Sequence, residues 1–247
     1  MKSLFSLLLM YLVALPLSLR ASDQDSIYKA YVSGDMGLWR RIIDKMHDTK
    51  DKTSTQELDL LNFEYGYIGW CLGAGKNALA KAYMKRMEER MNRLAQQQIE
   101  PALLYAYMSA HWGFQVGLNK LKAPFLGQKS IAAARKSVEL DPDNPLGHIQ
   151  LGNIDFFRPP LFGGSKQEAL RHYLAAERLL LSTLKAEGRA KDWNLLSLQI
   201  QIATTFESID DIKRADEYYK KILTSAPDFK WVRDELYPKF KQKHNLK

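Results

Sequence analysis

Apolar residues in this chain recur three and four positions apart along most of its length after Ser22, and no stretch alternates in twos. That period belongs to amphipathic helices and excludes a sheet protein. Ala, Leu, Lys, Glu, Gln and Met dominate the same region, all residues that lose little side-chain freedom in a helix. The expectation is an all-α fold.

The first helical pair is easily read. Ile27, Tyr28, Tyr31 and Val32 form one apolar stripe, Gly34-Asp35 a turn, and Leu38, Trp39, Ile42, Ile43 and Met46 a second stripe. Charged "HDTKDKTSTQE" (47–57) reads as a linker before Leu58. Further along, Pro142 ends a helix by withholding a backbone donor, and Asn144-Pro145 restarts one. Gly152 and Ala169 remove bulk where two antiparallel helices approach closely, and Tyr173 fills the space against the following helix. Each helical pair leaves one apolar face uncovered, so pairs stack in a row.

Several of these residues carry a resemblance. Gly152, Ala169 with Tyr173, and Ala215 with Tyr219 and Pro227 place a small residue before an aromatic and a later proline, and "SVELDPDNP" (137–145) spans a unit boundary. The pattern resembles the tetratricopeptide repeat. The resemblance implies one domain over 22–247 of stacked antiparallel helical hairpins, with units at about 25–47, 58–95, 101–142, 145–182 and 192–227 and a terminal helix at 230–243. Equivalent small residues (Ala80, Ser130, Ala169, Ala215) are spaced irregularly and wider than the usual period of about 34, so insertions between helices are expected.

Two insertions stand out. "KAPFLGQKS" (122–130) aligns with "RPPLFGGSK" (158–166): Pro124 on Pro160, Phe125 on Leu161, Leu126 on Phe162 and Gly127 on Gly163. Both read as loops joining the two helices of one unit, which would bring them out on the same edge as an apolar lip. Gly163-Gly164 followed by Ser165 and Glu168 reads as a tight turn with a capping box. A phosphate loop would need a different order of glycine, lysine and serine, after a strand.

For the site itself, the stacked first helices imply a concave surface lined by Asn62, Tyr65, Ile149, Gln150, Asn153, Phe156, Gln201 and Thr204. Neutral hydrogen-bonding groups beside aromatics suit an extended peptide or a small amphipathic ligand. Tyr105, Tyr107, Trp112 and Phe114 cannot share one helical face, so a pocket or some exposure is expected there. His148 and His172 fall in the two helices of one unit and could meet across it. No cluster has metal-ligand spacing, no cofactor motif is present, and no motif of nucleic-acid recognition accompanies the net charge of +8. The basic end, 239–247, could touch an anionic envelope surface.

Residues 1–21 read as a signal peptide, with "LFSLLLMYLVALPLSL" ahead of Ala21, or alternatively as a retained N-terminal anchor. Cys71, the single cysteine, excludes an internal disulfide and reads as a small buried residue. The functional expectation is a non-catalytic protein- or peptide-binding scaffold in an exported compartment. A small-ligand accessory protein comes second, from resemblance to periplasmic repeat proteins that serve substrate-binding-protein-dependent transporters. An enzyme with an unrecognised site comes third.

Overall fold

A computed structural model describes residues 23–246, so the expected signal peptide lies outside the described residues. Eleven α-helices follow one another and the described residues contain no strand. They are α1 (23–33), α2 (Met36–Asp48), α3 (Ser54–Gly73), α4 (Asn77–Gln96), α5 (Pro101–Leu118), α6 (Ala123–Leu140), α7 (Pro145–Phe157), α8 (Lys166–Ala186), α9 (Trp193–Ser208), α10 (Ile212–Ser225) and α11 (Tyr237–Lys243). A π-helical turn at Val232–Leu236 leads into α11 and makes residues 230–243 one continuous helix. The long helices pack as hairpins, α3 with α4, α5 with α6, α7 with α8 and α9 with α10. The first helices of neighbouring hairpins, α3, α5 and α7, also touch in sequence.

Local chemistry sets the boundaries. Asp35, Thr53, Asn144, Ser165, Asp192 and Asp211 each accept a hydrogen bond from a backbone N–H of the first turn they precede. Thr53 and Gln56 complete a reciprocal capping box, so α3 starts at Ser54 and the expected 47–57 linker shrinks to five residues. At Ser165 the expected box is only half made. Its hydroxyl accepts from the Glu168 N–H, while the Glu168 carboxylate turns to Arg171.

One closing device recurs after α3, α4, α8 and α9. An N–H reaches back five residues, as from Lys76 to the Cys71 carbonyl and from Asp211 to that of Phe206, around a single left-handed residue. Gly75 and Gly188 fill that position twice, Gln98 and Asp210 the other two times.

Two apolar clusters hold the stack. The first joins α1 to α5 through Ile27, Trp39, Ile43, Leu60, Ile68 and Met87, with Trp193 added from α9. The second joins α8, α9 and α10 to the C-terminal helix through Tyr173, Ile202, Phe206, Tyr219, Phe229 and Phe240. Tyr28, Tyr31 and Val32 of α1 lean on this second cluster. Tyr31 lies 4.9 Å from Phe229 and 6.0 Å from Trp193. The first hairpin therefore touches the last, and the stack closes on itself.

Between the clusters the packing is by small groups. Ser130, Ala133, Ala134 and Ser137 are what α6 buries, and Ser109 and Ser130 share a 3.0 Å hydrogen bond. A methyl at Gly152 would stand 2.5 Å from the Tyr173 ring, so the expected close approach is made there. Ala169 and Ala215 are fully buried, and Pro142 and Pro227 stand in exposed turns just beyond the ends of α6 and α10. The first cluster also encloses charge. Arg90 meets Glu64 at 3.1 and 3.2 Å through two nitrogens and meets Glu57 through a third. Burial pushes the Glu64 carboxyl up to about 8 and the Arg90 guanidinium down to about 10.

Candidate functional site

Four of the expected groove residues, Asn62, Tyr65, Gln150 and Asn153, join in hydrogen bonds between helices. Asn62 of α3 donates to the Tyr107 hydroxyl at 3.0 Å and exchanges hydrogen bonds of 3.1 and 3.3 Å with Asn194 of α9. Its carbonyl also accepts from the Trp193 indole at 3.2 Å. Alongside, Gln150 donates to the Tyr65 hydroxyl at 3.3 Å, Asn153 to the Gln150 carbonyl at 3.5 Å, and the Tyr173 hydroxyl to the Asn153 carbonyl at 2.8 Å. Tyr65 stacks on Phe114 and meets Tyr107 edge-on. Burial pushes the hydroxyls of Tyr65, Tyr107 and Tyr173 up, so all three stay neutral at any ordinary pH, the first two accepting and Tyr173 donating.

The physical reason for the close packing here is Gly66. A β-carbon there would lie 2.5 Å from the Trp193 ring and 2.8 Å from the Trp39 ring, so its absence lets the two indoles meet 5.0 Å apart. Ile149 packs against both clusters. Phe156 leans on the second cluster, with the Lys166 ammonium 3.3 Å from its ring centre. Gln201 and Thr204 lie farther along α9, half-buried, where Thr204 hydrogen-bonds Tyr219. Asn62, Tyr65, Gln150 and Asn153 thus form a seam between helices, Gln150 buried and the other three half-buried. Tyr105 and Trp112 are half-buried on α5.

The loop edge has the opposite character. Phe125 is 78% exposed, Leu161 88% and Phe162 70%, and Leu121 and Phe157 join them at 85% and 70%. Pro124 and Pro160 are exposed beside them and Leu126 is half-buried. The two segments are not equivalent, which corrects the alignment. Asn119 caps a short 3₁₀ turn, Lys120–Lys122, and α6 begins at Ala123 with Pro124 in its first turn, where a missing N–H costs nothing. Gly127 is therefore helical, whereas Gly163 is left-handed with φ of 89°.

The 158–165 segment is a true loop, and a stiff one. Arg158 donates to Asp155 at 3.1 Å and to the Gly163 carbonyl at 2.7 Å, Ser165 N–H reaches the Asp155 carbonyl at 3.0 Å, and Lys166 bonds the Phe156 carbonyl. A β-carbon on Gly164 would fall 1.8 Å from the Arg158 carbonyl oxygen, so only glycine fits. Beneath it lies a hollow of about 200 Å³ lined by Phe156, Phe157, Arg158, Pro160 and Lys166.

Other expected residues settle quietly. His148 and His172 do meet across α7 and α8, ring centres 5.8 Å apart, with His172 3.9 Å from Asp155. No group of three or more His, Cys, Asp or Glu among the described residues is placed to hold a metal. Cys71 is buried and its thiol is pushed up to about 11 by that burial. The basic end is tied back. Lys243 and His244 both reach Glu207 at 2.9 Å, and Phe240 is buried against Tyr219.

Three features were not singled out in the sequence: the Arg90–Glu64 pair, the Trp193–Asn194 partners of Asn62, and the exposure of Leu121 and Phe157. Only Leu121, set between Lys120 and Lys122, had a local signal in its charged flanks. Comparison of this chain with protein-family models, curated proteins and solved structures finds no match.

Proposed function

We propose that this chain is a non-catalytic docking protein of an exported compartment, working through its loop edge and not through its concave face. The observation that carries this reading is the lip: five large apolar side chains, each at least 70% exposed, at the turns of two neighbouring hairpins. Exposed apolar groups gathered in this way on a chain with a packed core mark an interaction surface. The α5–α6 and α7–α8 turns each follow the first helix of their hairpin, and α5 and α7 pack against each other.

The tetratricopeptide-like pattern supports a binding role without chemistry, and the filled seam moves that role from groove to edge. The small-ligand reading is the weaker one. Two hollows, of about 90 and 200 Å³, are each short of the roughly 300 Å³ at which small-molecule sites begin.

The test is site-specific photo-crosslinking in the cell that makes the protein, with the reactive group at Phe125 or Leu161, at Gln150 in the seam and at Asp143 on the opposite edge. Adducts from the lip positions alone are expected. Equal adducts from Asp143, or adducts from Gln150 only, would sink the reading.

A further inference from the structure

The charge around the lip is as one-sided as its apolarity. No acidic residue occurs between Glu100 and Glu139, a stretch that holds Lys120, Lys122, Lys129, Arg135 and Lys136. Lys120, Lys122 and Lys129 are exposed and have no ion-pair partner among the described residues. Of the other basic groups, Arg135 is exposed farther along α6, while Arg158 is held by Asp155 and Gly163, Lys166 by Phe156 and Lys136 by Glu139. The edge therefore offers protruding Leu and Phe side chains with three free ammonium groups set among them.

Shape decides which partner suits this. Protein anchors sit in complementary pockets, yet Leu121, Phe125, Leu161 and Phe162 stand 70–88% exposed at the ends of their hairpins. Insertion at the boundary between lipid headgroups and acyl chains needs no matching pocket. It needs apolar tips and, for an anionic leaflet, flanking cations.

Resting on the docking reading above, we infer that the lip seats on an anionic bilayer surface, with Leu121, Phe125, Leu161 and Phe162 entering the acyl boundary and Lys120, Lys122 and Lys129 holding lipid phosphates. The stiff 158–165 loop keeps Leu161 and Phe162 extended in advance, so little ordering is left to be done on contact. The tied-back C-terminal end contributes much less.

The experiment uses the full chain, so that any attachment through residues 1–22 is common to every variant. With Cys71→Ala as background, an environment-sensitive fluorophore is placed on Leu161→Cys or, as control, on Asp143→Cys across the molecule. Vesicles of phosphatidylcholine and phosphatidylglycerol in equal parts, and of phosphatidylcholine alone, are the probes. The 161 label is expected to shift blue on the anionic vesicles only, and the 143 label on neither.

Each lysine is worth about fivefold in partition, so Lys120→Gln, Lys122→Gln and Lys129→Gln together should weaken the 161 response about a hundredfold, with unchanged helicity. Salt at about 0.5 M should act in the same direction. Overturning results are a 161 label that stays in water on bound chain, or a shift untouched by the lysine replacements. If the label stays in water while crosslinks from Phe125 reach one discrete protein, lipid is the wrong occupant and the docking reading stands. If those crosslinks also fail, both fall.

Discussion

The seam, which joins α3, α5, α7 and α9, and the lip, at the turns of the α5–α6 and α7–α8 hairpins, invert each other. At the seam, Asn62, Gln150 and Asn153, polar residues that alone would prefer water, are half-buried or buried and hydrogen-bonded to Tyr107, Tyr65 and Tyr173. At the lip, Phe125, Leu161 and Phe162, which alone would prefer an interior, stand in solvent. Residue polarity alone would have assigned each to the other place. The difference is geometric: stacked first helices face one another across a short distance, while turns at a hairpin's end have nothing above them.

The largest break in this contrast comes from Trp193. Its ring fills the space over Gly66 against Trp39 and Tyr31, and its N–H satisfies Asn62. Trp193→Ala should cost about 3–5 kcal/mol of unfolding free energy, read by denaturant titration. Trp193→Phe keeps most of the apolar contact and loses the hydrogen bond, so about 1 kcal/mol is expected. A small cost for the alanine variant would mean that the seam is an opening after all.

Breaking the buried charge is of similar size. Arg90→Met leaves Glu64 without its partner in a fully buried site, at about 3–5 kcal/mol. Replacing Arg90 and Glu64 together by Met and Gln should recover most of that loss, and failure to recover would mean that Glu57 carries the pairing.

Acid should act on the flanks of the seam. His172 is held below its ordinary value chiefly by burial and by nearby Arg171, so below about pH 6.5 the unfolded chain takes the proton first and stability falls with pH. Burial would raise the Glu177 carboxyl, but bonds from Lys221, Gln199 and Tyr218 outweigh it and leave it below 4.5. Its contribution is present above that value and lost as pH falls through the folded one. His172→Gln should flatten the upper stage of a pH series of thermal melts, and Glu177→Gln the lower one.

What the sequence made legible follows from how local each signal is. The hairpins, the Asn144 and Ser165 caps and the Gly152–Tyr173 approach depend on neighbours within one unit, and periodicity or spacing reveals them. Closure of the seam depends on Trp193 and Asn194 meeting Asn62 some 130 positions away through the bare surface of Gly66. No periodic pattern encodes that meeting. Likewise, two proline-containing segments that align by letter part company because Gly164 follows Gly163 in one, while Gln128 follows Gly127 in the other and lets helix continue.

The lip should be nearly silent in stability, which makes it separable from everything above. Phe125→Ser, Leu161→Ser and Phe162→Ser together expose no core and remove no hydrogen bond made by these side chains, since each side chain is already at least 70% in solvent. A change within about 0.5 kcal/mol per site is expected, and apolar groups withdrawn from water could even raise solubility. Gly164→Ala, one residue beyond, should behave differently. Its methyl cannot coexist with the Arg158 carbonyl, so the loop must rearrange while both core clusters stay intact. Thermal melting should then change little, while limited proteolysis opens at 158–165. If the serine variants destabilise as much as Trp193→Ala does, the exposed residues are part of the core after all. The contrast between seam and lip would then collapse, and the docking surface with it.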